Sequence, residues 1–259
     1  MGKKVLLLVM ALILAAPAVP AWAAGAAAGM PADEALKLLK EGNERYAGGK
    51  PQYPHQTRER RALTAGQGQH PFAALLSCAD SRAPVELLFD QGIGDLFVVR
   101  VSGNVAAVDE IGTLECGVDH LGIQLVVVLG HSQCDAVTAV VQNDQVPPNI
   151  AAMVKPIAPA VAQARADNPG ATGEALINAA IKANIWQAIE DLLSKSPIVR
   201  GKVKAGKVRV LGALYEVDTG QAQWLGPHPD QDKLVGAAGK AAGPKGKKGE
   251  GKKLPPKEE

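Results

Sequence analysis

The chain has 259 residues, with 28 Lys and Arg against 26 Asp and Glu and a formal charge of +2. This length suits one α/β domain with a full core. The near balance of charge gives no sign of a nucleic-acid partner.

The chain opens with Lys3 and Lys4, then an apolar run from Val5 to Ala16 that is too short to span a bilayer. Ala21-Trp22-Ala23 fits the small-x-small cleavage pattern. Residues 1–23 are therefore expected to be a Sec-type signal peptide, cut after Ala23. No twin arginine and no nearby cysteine suggests a Tat signal or a lipid anchor. The mature chain is expected to be periplasmic, with no transmembrane segment. The cut removes two lysines and no acid, so the mature formal charge is zero.

Residues 24–230 are expected to form the folded domain. Met30 to Tyr46 reads as a helix, with Ala35, Leu38, Leu39 and Tyr46 as its apolar stripe and Gly48-Gly49 as its end. Lys50 to His70 is polar and reads as an extended loop. Phe72 to Cys78 reads as a buried strand, with Pro84 opening a helix after it. Leu96 to Val101 is a second strand and Asp109 to Leu121 a helix, in which Cys116 reads as a small buried core residue. Leu125 to Gly130 is a third strand, followed by a helix from Ser132 to Gln142. Glu174 to Ser194 is a long helix. Val208 to Leu214 and Tyr215 to Leu225 form a final strand and hairpin around Asp218-Thr219-Gly220. Continuous apolar strands alternating with helices predict an α/β fold, with a mostly parallel central sheet flanked by helices. Residues 231–259 are expected to be a disordered Lys/Gly/Pro-rich tail: residues 240–259 alone hold seven lysines and three glutamates.

Two motifs carry the chemistry. Ser77-Cys78-Ala79-Asp80-Ser81-Arg82 ends the first strand, and Gly130-His131-Ser132-Gln133-Cys134 ends the third. Ligands of open α/β sheets bind at such carboxyl ends. Cys78, His131 and Cys134 supply two thiolates and one imidazole. Three such ligands suit a tetrahedral zinc ion with an open fourth position, whereas a structural site is usually closed by four. A Cys78–Cys134 disulfide is the competing reading for an exported chain, but it has no need of His131, Asp80 or Arg82. His131 and Cys134, three apart at a helix start, are expected to share one face, with the positive helix end favouring the Cys134 thiolate.

These motifs resemble those of the β-class carbonic anhydrases, a family marked by Cys-x-Asp-x-Arg and then His-x-x-Cys. The likeness extends through Gly94-Asp95-Leu96-Phe97-Val98-Val99-Arg100-Val101-Ser102-Gly103-Asn104 and through Ala213-Leu214-Tyr215-Glu216-Val217-Asp218-Thr219-Gly220, and covers about residues 31 to 226. The resemblance implies the β-carbonic anhydrase fold and one Zn2+ per chain on Cys78, His131 and Cys134. It implies reversible hydration of carbon dioxide to bicarbonate and a proton, by attack of zinc-bound hydroxide. Arg82 would hold Asp80 away from zinc, and Asp80 would orient the nucleophile. If that pair broke, Asp80 would itself become the fourth metal ligand of a closed, inactive site. Gln69 would hydrogen-bond the substrate. A homodimer or a dimer of dimers would be the assembly.

Two residues depart from the family pattern. Leu75 stands where members inhibited by bicarbonate carry Trp, which leaves Arg100 to orient its strand end. Asp135 stands where Gly usually follows the second Cys. Two thiolates donate more charge to zinc than imidazoles do, so activity is expected to rise toward alkaline pH. His70 and His120 read as ordinary surface or core histidines. Two alternatives stand beside hydration: a related zinc hydrolase of carbon disulfide or carbonyl sulfide, and a non-catalytic zinc-binding protein.

Overall fold

The two strands of unbroken apolar character lie side by side at the centre of the molecule. The computed structural model describes residues 29–236. β1 (Ala73–Ser77) and β3 (Leu125–His131) are buried at every position, as parallel strands covered on both faces must be. β2 (Leu96–Arg100), β4 (Arg209–Tyr215) and β5 (Ala222–Gly226) complete a sheet of order β2-β1-β3-β4-β5. β1 pairs in parallel with β2 and with β3, and β3 with β4. β5 alone runs antiparallel, as the return arm of the expected hairpin. The winding reverses between β1 and β3, the kind of place where open α/β sheets bind ligands outside the strand ends.

Side chains alternate between the two faces with period two. Ala74, Leu76, Val126, Val128 and Val210 face α4 (Val108–His120), α8 (Gly173–Lys195) and α9 (Pro197–Lys204). Ala73, Leu75, Leu125, Val127 and Leu211 face α1 (Ala32–Ala47) and α3 (Val85–Leu88). α8 lies directly on the sheet. A Cβ on Gly130 would stand 2.6 Å from Ile185 Cγ1, so only glycine admits this close packing. Asn43 of α1 ties the second layer together: it donates to the carbonyls of Leu88 and Gly220 and accepts from the Ala222 N–H.

The structure corrects several expectations. The polar stretch before β1 is not all loop: Arg58–Gln67 forms α2, capped by the Thr57 hydroxyl, which accepts from the Arg60 N–H at 3.1 Å. None of its residues is buried, so it leaves no apolar stripe to read. α5 begins at Asp135, not Ser132, and runs to Gln142. Cys116 is exposed rather than in the core. The stretch between residues 143 and 172, to which no element was assigned from sequence, forms α6 (Pro148–Val154) and α7 (Ala158–Asp167). Gln231–Gly236, expected to belong to the tail, is helix α10, and its Leu234 and Val235 pack on the core. The expected signal peptide and the rest of the expected tail lie outside the described residues. Among the described residues no helix is long and apolar enough to cross a membrane.

Candidate metal centre

Cys78 follows the last residue of β1, and His131 is the last residue of the neighbouring β3. Cys134 caps α5 after a tight turn in which Gln133 takes a φ of +57°. That turn is pinned to the end of β4 and to the segment just after it: the Ser132 N–H donates to the Tyr215 carbonyl at 2.9 Å, and the Ser132 hydroxyl accepts from the Val217 N–H at 2.9 Å. The ligand atoms of Cys78, His131 and Cys134 lie within 4.8 Å of one another, and all three residues are buried. His131 and Cys134 do converge, but through this turn rather than along one face of a helix.

The trio fits a soft, tetrahedral ion. His131 Nδ1 donates to the Ser132 carbonyl at 2.9 Å, which fixes the tautomer and leaves the lone pair on Nε2. That buried Nε2 has no hydrogen-bond partner. Both thiols are free of disulfide bonds. Cys78 Sγ accepts the N–H groups of Gly103 at 3.3 Å and Asp80 at 3.4 Å. Asn184 of α8 holds Gly103 in place, donating to its carbonyl at 2.7 Å. Two sulfurs and one imidazole nitrogen are the donor set that zinc takes when its fourth position stays open.

The two thiols shift each other's acidity in opposite directions. A hydrogen bond from the Cys134 thiol, with the two N–H groups, lowers Cys78 to about 4 against the pull of burial. The same hydrogen bond, together with burial, pushes Cys134 up. The N–H groups of Ala136 and Val137 pull it down, as the helix-start argument requires, but they are outweighed. The helix start therefore acts on Cys134 in the expected direction, and its neighbour Cys78 opposes it.

Asp80 and Arg82 form a tight pair at the rim. Arg82 Nη2 donates to Asp80 Oδ2 at 2.7 Å and Nε to Oδ1 at 3.0 Å, while the Arg82 N–H donates to Oδ1 at 2.8 Å. These bonds hold the Asp80 carboxyl down at about 2, burial opposing them. Asp80 Oδ2 lies 3.8 Å from His131 Nε2, so the carboxylate sits beside the ligand atoms. Arg82 Nη2 also donates to the Gln133 carbonyl at 3.0 Å, joining the two motifs. Asp135 is exposed at the start of α5, and its charge reaches Arg82.

Gln69 is not brought to this site within the chain. It is exposed and lies four residues before β1, whereas Cys78 follows that strand. A five-residue strand spans about 16 Å. His70 is exposed and donates from Nε2 to the Gln67 carbonyl at 3.1 Å. Leu75 is wholly buried in the second layer of the core. Sequence reading missed Gly103, Gln133 and Asn184 as supports of the site. Gly103 and Gln133 lie within the quoted runs but act through their backbone, and Asn184 acts from a distant helix with no motif of its own.

The chain also has relatives. The family profile described as Carbonic anhydrase matches residues 73–222. The chain is 37% identical over 192 residues to carbonic anhydrase 2 of Mycobacterium tuberculosis, covering 73% of this chain and 90% of that protein. It is 33% identical over 193 residues to the carbonic anhydrase of Mycolicibacterium smegmatis, covering 73% and 91%. In three dimensions it resembles the β-carbonic anhydrase CafA of Aspergillus fumigatus, with a TM-score of 0.62 at 23% identity over 79% of this chain and 95% of that one. It also resembles a tetrameric β-carbonic anhydrase of Sordaria macrospora, with a TM-score of 0.61 at 22% identity over 74% and 98%. Two open-ended motifs joined by the sheet's switch point, an imidazole nitrogen left free for a metal, and these relatives agree: the chain belongs to the carbonic anhydrase family and has the fold of its β-class.

Proposed function

We propose that this protein catalyses the reversible hydration of carbon dioxide to bicarbonate and a proton, with one zinc ion held by Cys78, His131 and Cys134. The observation that carries this is the three-ligand buried group beside an arginine-paired carboxylate. Zinc bound there supplies a Lewis acid that lowers the pKa of water, so that a nucleophile exists near neutral pH. Asp80 stays ionised and accepts a hydrogen bond from the attacking oxygen, aiming its lone pair at the substrate carbon. Arg82 keeps the carboxylate in that orientation. Should the pair break, the carboxylate, 3.8 Å from His131 Nε2, is within reach of the fourth metal position and would close the site. The relatives, named carbonic anhydrases, favour this reading over a carbon disulfide or carbonyl sulfide hydrolase and over a non-catalytic zinc protein.

Gln69 serves as a substrate-binding residue only if a second copy of the chain presents it. A homodimer or a dimer of dimers meets that need, and the Sordaria macrospora relative is described as tetrameric. The basic, apolar and small-x-small run of residues 1–23 supports export to the periplasm, with cleavage after Ala23. The test is stopped-flow hydration at pH 8.5 on zinc-loaded mature protein, with Asp80→Ala beside it. Fast hydration that falls on the order of a hundredfold in the variant is expected. No hydration by protein carrying one zinc per chain would sink the reading.

A further inference from the structure

The peptide and the side chain of Asp80 are held by two different arginines. Arg82 grips the carboxylate. Arg100, the last residue of β2, grips the backbone instead: its Nε donates to the Cys78 carbonyl at 2.9 Å and its Nη2 to the Asp80 carbonyl at 2.6 Å. One planar guanidinium therefore bridges the two carbonyls on either side of Ala79. Its fork suits two acceptors at once, as the single head of a lysine does not. The sheet continues the restraint, with the Ala79 N–H on the Val101 carbonyl and the Val101 N–H on the Ser77 carbonyl. The loop that carries the first metal ligand is thus fastened to the end of β2.

The distances give this fastening a consequence. Asp80 Oδ2 is already 3.8 Å from His131 Nε2. With the carboxylate this near a ligand atom, the placement of the Asp80 peptide decides whether it rests on Arg82 or turns toward the metal ligands. We propose that Arg100 is a positioning residue for the hydration reaction: by holding the carbonyls of Cys78 and Asp80 it keeps the carboxylate on Arg82 and the fourth metal position open. This rests on the role given to Asp80 above.

The experiment compares wild type, Arg100→Met, Arg100→Lys and the double variant Arg100→Met with Asp80→Ala. Each is loaded with zinc for kinetics and with cobalt(II) for visible absorption and azide titration. Arg100→Met keeps the side chain's length and removes every donor, and Arg100→Lys keeps the charge and one donor head. All are expected to bind one metal per chain. In Arg100→Met, kcat is expected to fall on the order of ten- to a hundredfold with little change in KM, the usual cost of removing an outer partner of a metal site. Its cobalt form is expected to bind azide more weakly, because Asp80 competes for the same position. Arg100→Lys is expected to fall between wild type and Arg100→Met, and the double variant to bind azide as wild type does. Wild-type kcat and azide affinity in Arg100→Met would overturn the proposal, as would weakened azide binding that persists in the double variant. A wild-type protein that binds metal but hydrates no carbon dioxide would instead overturn the functional reading. The azide series would still judge Arg100 on its own.

Discussion

Ser77 and Leu129 stand opposite each other in register across β1 and β3. The two chain segments therefore leave the sheet together, and Cys78 meets His131 without any long-range loop to bring them close. Replacing Cys78 or His131 by Ala is expected to reduce bound zinc from one per chain to near none, and to lower the thermal midpoint through the lost metal linkage. Cys116→Ser should keep its zinc, because that thiol is exposed on α4. Metal analysis beside thermal unfolding checks all three. Once zinc is chelated away, ultraviolet absorbance at about pH 6 should report one thiolate from the Cys78–Cys134 pair rather than two, since Cys78 is lowered to about 4 and Cys134 is raised.

Asp80 and Arg82 act as one unit in this geometry, so their losses should not multiply. Asp80→Ala and Arg82→Ala are each expected to lower kcat/KM on the order of ten- to a hundredfold, and the double variant to do little worse than the weaker single. Arg82→Lys should not rescue, because one ammonium cannot replace the paired bonds to Oδ1 and Oδ2. A double variant whose loss equals the product of the single losses would show that the two residues work independently.

Much of this arrangement was legible in the sequence, for physical reasons. The strands were legible because parallel strands buried on both faces are apolar without interruption, as in Leu125 to Leu129. The metal ligands were legible because Cys and His at strand ends have few other uses. α2 was not, because its residues are mostly polar and none is buried, so its few apolar side chains form no core-facing stripe. Cys116 looked like core because its helix is amphipathic, yet it lies on the solvent side. Nothing local told how the two thiols would shift each other's acidity. That depends on a hydrogen bond between residues of two separate motifs, Cys78 and Cys134.

Asp90 is the buried anchor of the stretch that leads from α1 to α2. Its carboxylate accepts from Arg45 Nε at 2.6 Å and from the N–H groups of Gln52 and Tyr53 at 2.9 Å each. Burial alone would raise its pKa, but these three donors bring it below the usual value. A carboxyl lowered by folding stabilises above its unfolded pKa of about 4, and that stability is lost as pH falls through the lowered value. Asp90→Asn is expected to cost about 1–2 kcal/mol at pH 7 by weakening the charge-assisted bonds to Arg45, Gln52 and Tyr53. The gap to wild type should narrow near pH 3. Denaturant unfolding at both pH values checks this, and a gap that does not change with pH would place the loss in packing rather than in charge.

Gln69 offers the sharpest test of assembly, because the strand between it and Cys78 separates them within one chain. If a second copy presents Gln69, then Gln69→Ala and Cys78→Ala damage different sites of a mixed dimer. In that dimer the chain with intact metal ligands receives a normal Gln69 from its partner, and the other chain has no working site. Random pairing makes half of the dimers mixed, each with one good site, so co-expressing the two variants is expected to restore about a quarter of wild-type activity. Each variant alone should remain well below that level. If Gln69 instead served its own chain, the mixture would give no more than the average of the two variants. Stopped-flow hydration on the co-expressed mixture and on each homodimer, at matched zinc content, decides between these outcomes.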